Sequence, residues 1–166
     1  MNDFVIEIKN LSKRFGTQEV LRELNLNIPR SKVTVIIGRS GGGKSVLLKH
    51  IIGLLKPDSG QILVDGVDIV SADDKTLNET RKKFGMLFQE GALFDSLNIA
   101  DNVGFPLFEH TKMSSKEIYE KVDYVLGLVG LRGAEKKYPS EISGGMRKRA
   151  SLARAIISNP EVIMFD

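Results

Sequence analysis

The sequence has no cysteine. That excludes disulfide frameworks, thiolate metal sites and cysteine nucleophiles, and it fits a reducing compartment. Tryptophan is also absent and aromatics make up only 7% of the chain, so the stacking platforms that often accompany nucleic-acid binding are scarce. Neither charge sign dominates. Lys and Arg number 24 against 21 Asp and Glu, a formal net charge of +3, and the basic residues are spread along the chain rather than gathered on one stretch. No nucleic-acid partner is expected. No apolar run approaches the roughly 18 residues that a membrane span needs. Met1-Asn2-Asp3-Phe4 opens without the charged region and apolar stretch of a secretory signal. The expectation is a cytoplasmic chain that reaches a membrane only through partner subunits.

What is present suits one α/β domain. The chain has 166 residues, of which 42% are hydrophobic and 27% charged, enough for a sizeable core in an ordinary soluble composition. Residues 4–9 and 20–28 alternate apolar with polar side chains, the period of a half-buried strand. Residues 33–37 are instead a β-branched run, which predicts a strand buried on both faces of a parallel sheet. Glycines follow, and then Leu47, Leu48, Ile51, Ile52 and Leu55 recur at helical spacing over residues 44–55. Pro57-Asp58-Ser59-Gly60 reads as a turn, and Asp65-Gly66 as a hairpin between strands at 61–64 and 67–69. A short strand is expected at 84–88. Ser114 and Glu117 have capping-box spacing ahead of an apolar stripe of Ile118, Val122, Val125, Leu126 and Val129, which predicts a helix over 114–129. Another helix should run from Gly144 to about Ser158 before Pro160 breaks it, and residues 162–165 read as a final strand. There is no internal repeat, low-complexity segment or linker.

Chemistry enters at Gly38-Arg39-Ser40-Gly41-Gly42-Gly43-Lys44-Ser45, which matches G-x-x-x-x-G-K-[ST]. Glycines let backbone N–H groups point inward around a triphosphate. The helix that follows directs its N-terminal dipole at the same anion. Lys44 supplies a compact charge for the β and γ phosphates, and the Ser45 hydroxyl is a hard oxygen ligand for Mg²⁺. The bland alternative is a glycine-rich turn with a surface lysine. A chance match has odds on the order of one per cent at ordinary residue usage, and the strand-before, helix-after context lowers that further. Asp166 closes an apolar run. Alone it would read as a strand-terminal turn cap. Beside a phosphate loop it reads as a carboxylate that holds Mg²⁺ through water.

About a hundred residues beyond the loop comes Ile142-Ser143-Gly144-Gly145-Met146. Ser143 is an N-cap type and the glycines open a helix, so this is a second anion-compatible helix start. With the loop, Gln89 and Asp166 in this order, the chain resembles the ATPase domains of ABC transporters, whose signature is usually written L-S-G-G-Q. The resemblance runs from about residue 4 to residue 166. It implies a P-loop NTPase core of α/β class with N-terminal antiparallel elements and a helical subdomain, the last core strands lying beyond Asp166. Residues 1–89 with 159–166 would form the ATP-binding core and 90–158 the helical subdomain. It also implies Mg·ATP as ligand and a head-to-tail homodimer in which Ser143, Gly144, Gly145 and Met146 face the ATP on the partner's loop. Transmembrane permease subunits would hold the protein at the cytoplasmic face of the membrane. Gln89 matches the glutamine that senses the γ-phosphate and Mg²⁺. Phe15 sits where such domains stack an aromatic on adenine, and without the family it reads as a core phenylalanine. The metal set is then Ser45, Gln89 and Asp166.

A narrower resemblance, to the Mla/Mce-type lipid-transport ATPases, rests on the segments 88–97, 102–107 and 109–111 and on Met146 in place of Gln. It implies a phospholipid or other apolar lipid as cargo. In the family a Glu directly follows the Walker B Asp and polarises the attacking water, and losing a positioned general base costs about 10²–10⁴-fold. The sequence stops before that position, so hydrolysis and independent folding are both doubtful for residues 1–166 alone. A short nucleotide-binding or regulatory module without turnover is the alternative, and another P-loop class, such as a kinase or GTPase, is a third. The intact mass of the native polypeptide, set against 18.4 kDa, separates the first two, and preference for ATP over GTP tests the third. His50 and His110 lack spaced partners for a metal site. The basic run Arg147-Lys148-Arg149 reads as a solvated helix face.

Overall fold

The computed structural model describes residues 3–88 and 91–166. The chain divides into two compact units, Met1–Arg81 and Lys82–Asp166.

The first unit is built on an antiparallel sheet of order β2-β1-β3-β4. Its strands are β1 (Phe4–Phe15), β2 (Gln18–Pro29), β3 (Ser59–Val64) and β4 (Val67–Asp68). Both N-terminal strands run longer than their alternation predicts, because the β1–β2 ladder is carried past four register shifts. Asn10 and Glu23 have positive φ there. The side chains of Asn10 and Asn25 close a reciprocal pair, with Asn25 accepting the Asn10 N–H and donating to the Asn10 amide oxygen, each at 3.0 Å. Ser12 Oγ accepts the displaced Glu23 N–H at 2.9 Å. Ile6, Ile8, Leu11, Ile62 and Val64 are buried beneath the sheet, each contributing roughly 1.5–3 kcal/mol by leaving water.

Helix α1 (Lys44–Ile51) buries Leu47, His50 and Ile51. It is shorter than its apolar spacing predicts. Gly53 turns the chain at φ 67, and the Arg81 guanidinium closes on the carbonyls of Ile52 and Gly53 at 3.2 and 2.7 Å. Arg81 ends α2 (Asp74–Arg81). The apolar period gives no hint of α2, where only Leu77 and the buried Thr80 turn inward. Its signal is the Asp73 carboxylate, which accepts the Thr76 N–H at 2.8 Å, an N-cap contact.

One expectation is overturned. Residues 33–37 form no strand. Val33, Val35 and Ile37 are 92%, 73% and 91% exposed, rather than buried on both faces. Preference for strand is a preference for a pleated, packed surface, and among the described residues no ladder partner supplies one.

The second unit pairs β5 (Phe84–Leu87) in parallel with β6 (Val162–Phe165), residue for residue from Phe84 opposite Val162 to Leu87 opposite Phe165. Three helices close a core beside it: α3 (Ile99–His110), α4 (Ser115–Leu128) and α5 (Gly144–Ile156). Val103, Leu107, Ile118, Val122, Leu126, Leu131, Ala150 and Ala153 are buried together. The capping box forms as predicted, Ser114 and Glu117 exchanging side chain-to-backbone hydrogen bonds. Pro106 lies inside α3.

Candidate functional site

The phosphate loop stands at the head of α1. Gly43 is the N-cap in the left-handed region, with φ 85, and no side chain caps the helix. A Cβ there would lie 3.0 Å from Val20 Cγ1, and one on Gly42 would lie 2.9 Å from the Arg39 carbonyl oxygen. The cradle therefore admits glycine at both positions. The first turn carries no acidic residue that would offset the positive end of the helix. Lys44 folds back over the loop, its ammonium donating to the carbonyls of Gly38 and Arg39 at 2.9 Å each. Gly38, Arg39, Ser40, Gly41 and Ser45 are all exposed. The group can receive a polyanion on N–H dipoles, a point charge and a helix end.

Phe15 ends the first strand of the hairpin whose second strand crowds this loop. It pairs with Gln18 across the two-residue tip Gly16-Thr17 of the β1–β2 hairpin, and Val20, which crowds Gly43, follows two residues later. The residue is 46% exposed and is not a core phenylalanine. The ammonium of Lys13 sits 5.6 Å from its ring centroid.

In the second unit Ser143 caps α5, its Oγ accepting the Met146 N–H at 3.3 Å. Gly144 and Gly145 are exposed, and a Cβ on Gly145 would meet nothing within 4 Å. Met146 differs from them by packing partly buried against the helical core. Asp166 follows β6, its N–H donating to the Leu87 carbonyl at 3.0 Å. Its side chain borders a cleft of about 240 Å³ with Phe88, Gly91, Lys148 and Ser151. Gln89 lies outside the described residues.

The family profile described as ABC transporter matches residues 21–166. The chain belongs to this family. It is 54% identical over 161 residues to the probable ribonucleotide transport ATP-binding protein mkl of Mycobacterium leprae, covering 97% of this chain and 46% of that protein. It is 49% identical to the intermembrane phospholipid transport system ATP-binding protein MlaF of Haemophilus influenzae, over all of this chain and 63% of that one. The chain thus spans between about half and two thirds of the length of these relatives. Among solved structures, the dimeric post-hydrolysis state of the ATP-binding cassette MJ0796 bound to ADP and Pi aligns with a TM-score of 0.88 at 32% identity, covering 97% of this chain and 73% of that one. No helix among the described residues is long and apolar enough to cross a membrane.

Several residues that support the ABC motifs escape a reading by motif. Arg147, Lys148 and Arg149 are exposed, the solvated face that their clustering suggested, and two of them also reach back to the backbone. Arg147 donates to the Ile142 carbonyl at 3.0 Å, and Arg149 donates to those of Val129 and Gly130 at 3.1 Å each. They tie the signature helix to the turn before it and to the end of α4. Arg154 donates to the carbonyls of Gly91 and Ala92 and stands 5.8 Å above the Phe94 ring. Ser151 Oγ lies 2.7 Å from the same Gly91 carbonyl. Asn102, fully buried, accepts the Phe94 N–H and donates to the carbonyls of Phe94, Leu97 and Asn98. The segment after Gln89 is thereby fastened from α3 and α5. The only sequence signal is that polar residues stand at positions where an apolar stripe would be expected.

Proposed function

We propose that this chain is the ATP-binding part of an ABC transporter subunit that binds Mg·ATP and hydrolyses it to drive lipid transport. The observation that carries the reading is the loop itself. Lys44 is held over a glycine cradle at an uncapped helix start, with an exposed aromatic one hairpin turn away. Lys44 neutralises the β and γ phosphates, exchanging two carbonyl partners for phosphate oxygens. Backbone N–H groups of residues 38–43 position the chain of phosphates, and Phe15 carries the adenine. The donor set fits a hard cation: the Ser45 hydroxyl, the Asp166 carboxylate and the Gln89 amide are all oxygen ligands. Mg²⁺ bound there supplies charge neutralisation for phosphoryl transfer.

In this reading residues 1–89 with 159–166 form the ATP-binding core and 90–158 the helical part. Two copies pair head to tail, so that Ser143, Gly144, Gly145 and Met146 face the partner's nucleotide. The open space before Gly145 supports this, since nothing among the described residues requires glycine there. Permease subunits carry the cargo and hold the pair at the cytoplasmic face of the membrane. The two named relatives point to different cargoes, a ribonucleotide and a phospholipid. We favour lipid, on the Mla/Mce-like segments at 88–97 and 102–107.

Lys44→Ala tests the reading in the protein at its natural length. ATP binding or turnover is expected to fall by about 10²-fold or more, the scale of losing a preorganised charge. An unchanged ATP affinity and rate would sink the assignment. Co-purification of permease subunits with bound phospholipid tests the cargo, and bound ribonucleotide would reverse it.

A further inference from the structure

The base platform at Phe15 is held by a bracket that no nucleotide-binding motif includes. Asp58, in the turn after α1, grips the end of β1 at three points. Its Oδ1 accepts from the Lys13 ammonium at 2.9 Å and its Oδ2 accepts the Arg14 N–H at 2.7 Å. Its own N–H donates to the Ser12 carbonyl at 3.0 Å. Lys13 also donates to the Lys56 carbonyl at 2.9 Å, and its side chain is only 15% exposed. That is low for a lysine near a hairpin tip, and it shows the ammonium is anchored rather than waving in solvent. The same ammonium lies over the Phe15 ring.

The bracket is itself rigid. Gly60 has φ 97, and a Cβ there would lie 2.5 Å from the Asn10 carbonyl oxygen and 2.6 Å from Leu11 Cα, so the turn presses backbone to backbone against β1. At its other end, Leu54 and Leu55 N–H groups donate to the Lys49 carbonyl of α1. The helix that carries the phosphate loop and the strand that carries the aromatic are therefore joined through residues 52–60.

We propose that Asp58 is a positioning residue for the nucleobase: its carboxylate, through Lys13 and Arg14, fixes the hairpin tip so that the Phe15 ring stands ready to stack. Lys13 occupies one face of the ring and leaves the remaining exposed surface to the base. The proposal rests on the assignment of Phe15 as the adenine platform. An unclamped tip would have to be ordered on binding, at a cost in affinity that falls on the base and not on the phosphates. Asp58 carries its charge throughout the physiological range, because its hydrogen bonds from Lys13 and Arg14 hold the carboxyl below its usual value.

The test compares dissociation constants for ATP and for inorganic tripolyphosphate, which lacks a base, in the protein at its natural length. Phe15→Ala is expected to weaken ATP about tenfold, the scale of one base–aromatic stack, and to leave tripolyphosphate unchanged. Asp58→Ala is expected to weaken ATP by about three- to tenfold, again with tripolyphosphate unchanged. Asp58→Asn keeps an acceptor for Arg14 and loses the ion pair, and it should fall between. The double variant should be no weaker than Phe15→Ala alone, because both act through one ring. Equal weakening of ATP and tripolyphosphate in Asp58→Ala and Asp58→Asn would overturn the proposal in favour of a general fold role. Additive losses in the double variant, or unchanged ATP affinity in Asp58→Ala, would overturn it too. Unchanged ATP affinity in Phe15→Ala would sink the stacking assignment and the clamp with it.

Discussion

Residues 99–157 and residues 33–37 are both rich in apolar side chains, and they meet opposite fates. In the helical region the stripes of α3, α4 and α5 close on one another, and Val103, Leu126, Ala150 and Ala153 are fully buried. In the short β-branched run, Val33 and Ile37 stand more than nine-tenths exposed. The difference lies in what each kind of element needs. A helix satisfies its own backbone, and its stripe can be covered by neighbours close in sequence. A strand needs a second strand for its N–H and C=O groups before its side chains have a surface to pack on. The contrast sets the closed core of α3, α4 and α5 against a β-branched run left unpaired among the described residues.

The sharpest way to break that comparison is to open the helical core. Leu126→Ala is expected to cost about 2–5 kcal/mol, the range for deleting a buried leucine with partial collapse around the cavity. The loss should appear as a lower urea midpoint of the unit formed by Lys82–Asp166. A loss below about 1 kcal/mol would mean that the core is loosely packed, and the contrast with residues 33–37 would lose its basis. A smaller effect is expected at the helix end. Ser114→Ala removes one half of the capping box, at a cost of about 1 kcal/mol. Far-UV circular dichroism during denaturation checks it, and an unchanged midpoint would show that Glu117 alone caps α4.

These two examples also mark where the sequence was legible. The Ser114 and Glu117 pairing, the α5 start at Gly144 and the Asp65-Gly66 hairpin depend on neighbours a few residues away, and all three stand as read. Local chemistry decides them. The family, too, was legible, because the phosphate loop and the signature are contiguous strings. Residues 33–37 failed because β-branched composition reports an affinity for a sheet and cannot supply the sheet. Helix α2 escaped notice because it is polar nearly all round. Arg154 and Asn102 escaped because their hydrogen-bond partners are backbone carbonyls and N–H groups, which leave no trace in side-chain patterns, and Asp58 escaped because its Lys13 partner lies far from it in sequence. The supports around the candidate site thus could not be read from side-chain patterns.

His50 gives an effect that is absent at pH 7.5 and grows on acidification. The side chain is fully buried on α1, with Nδ1 2.7 Å from the Val46 carbonyl and Nε2 without a hydrogen-bond partner among the described residues. Burial pushes its pKa below the ordinary value of 6.5; the Lys13 charge pushes the same way, against the Val46 carbonyl and the Asp58 charge. The unfolded chain takes up a proton near pH 6.5 while the native state does not. Stability is therefore fully present above that pH and is lost as pH falls toward the depressed native value. Urea midpoints at pH 7.5 and 5.5 should differ in the parent chain and differ less in His50→Leu. The same acid slope in both would place the titration elsewhere.

The smallest expected effect is also the one that bears most directly on the comparison. Val33→Ser, Val35→Ser and Ile37→Ser together replace three large apolar side chains. In a buried strand each would cost several kcal/mol. At 92%, 73% and 91% exposure the loss should stay within about 0.5 kcal/mol each, the scale of ordinary surface changes. Light scattering of the 166-residue chain should fall at the same time, because an exposed β-branched run offers both an apolar face and an open edge to other chains. The two readouts are independent, and together they decide what the run is. Unchanged stability with less scattering means that residues 33–37 take no part in holding this chain together. A loss of several kcal/mol means that the run is packed in solution, and the first unit would then be as closed as the helical one.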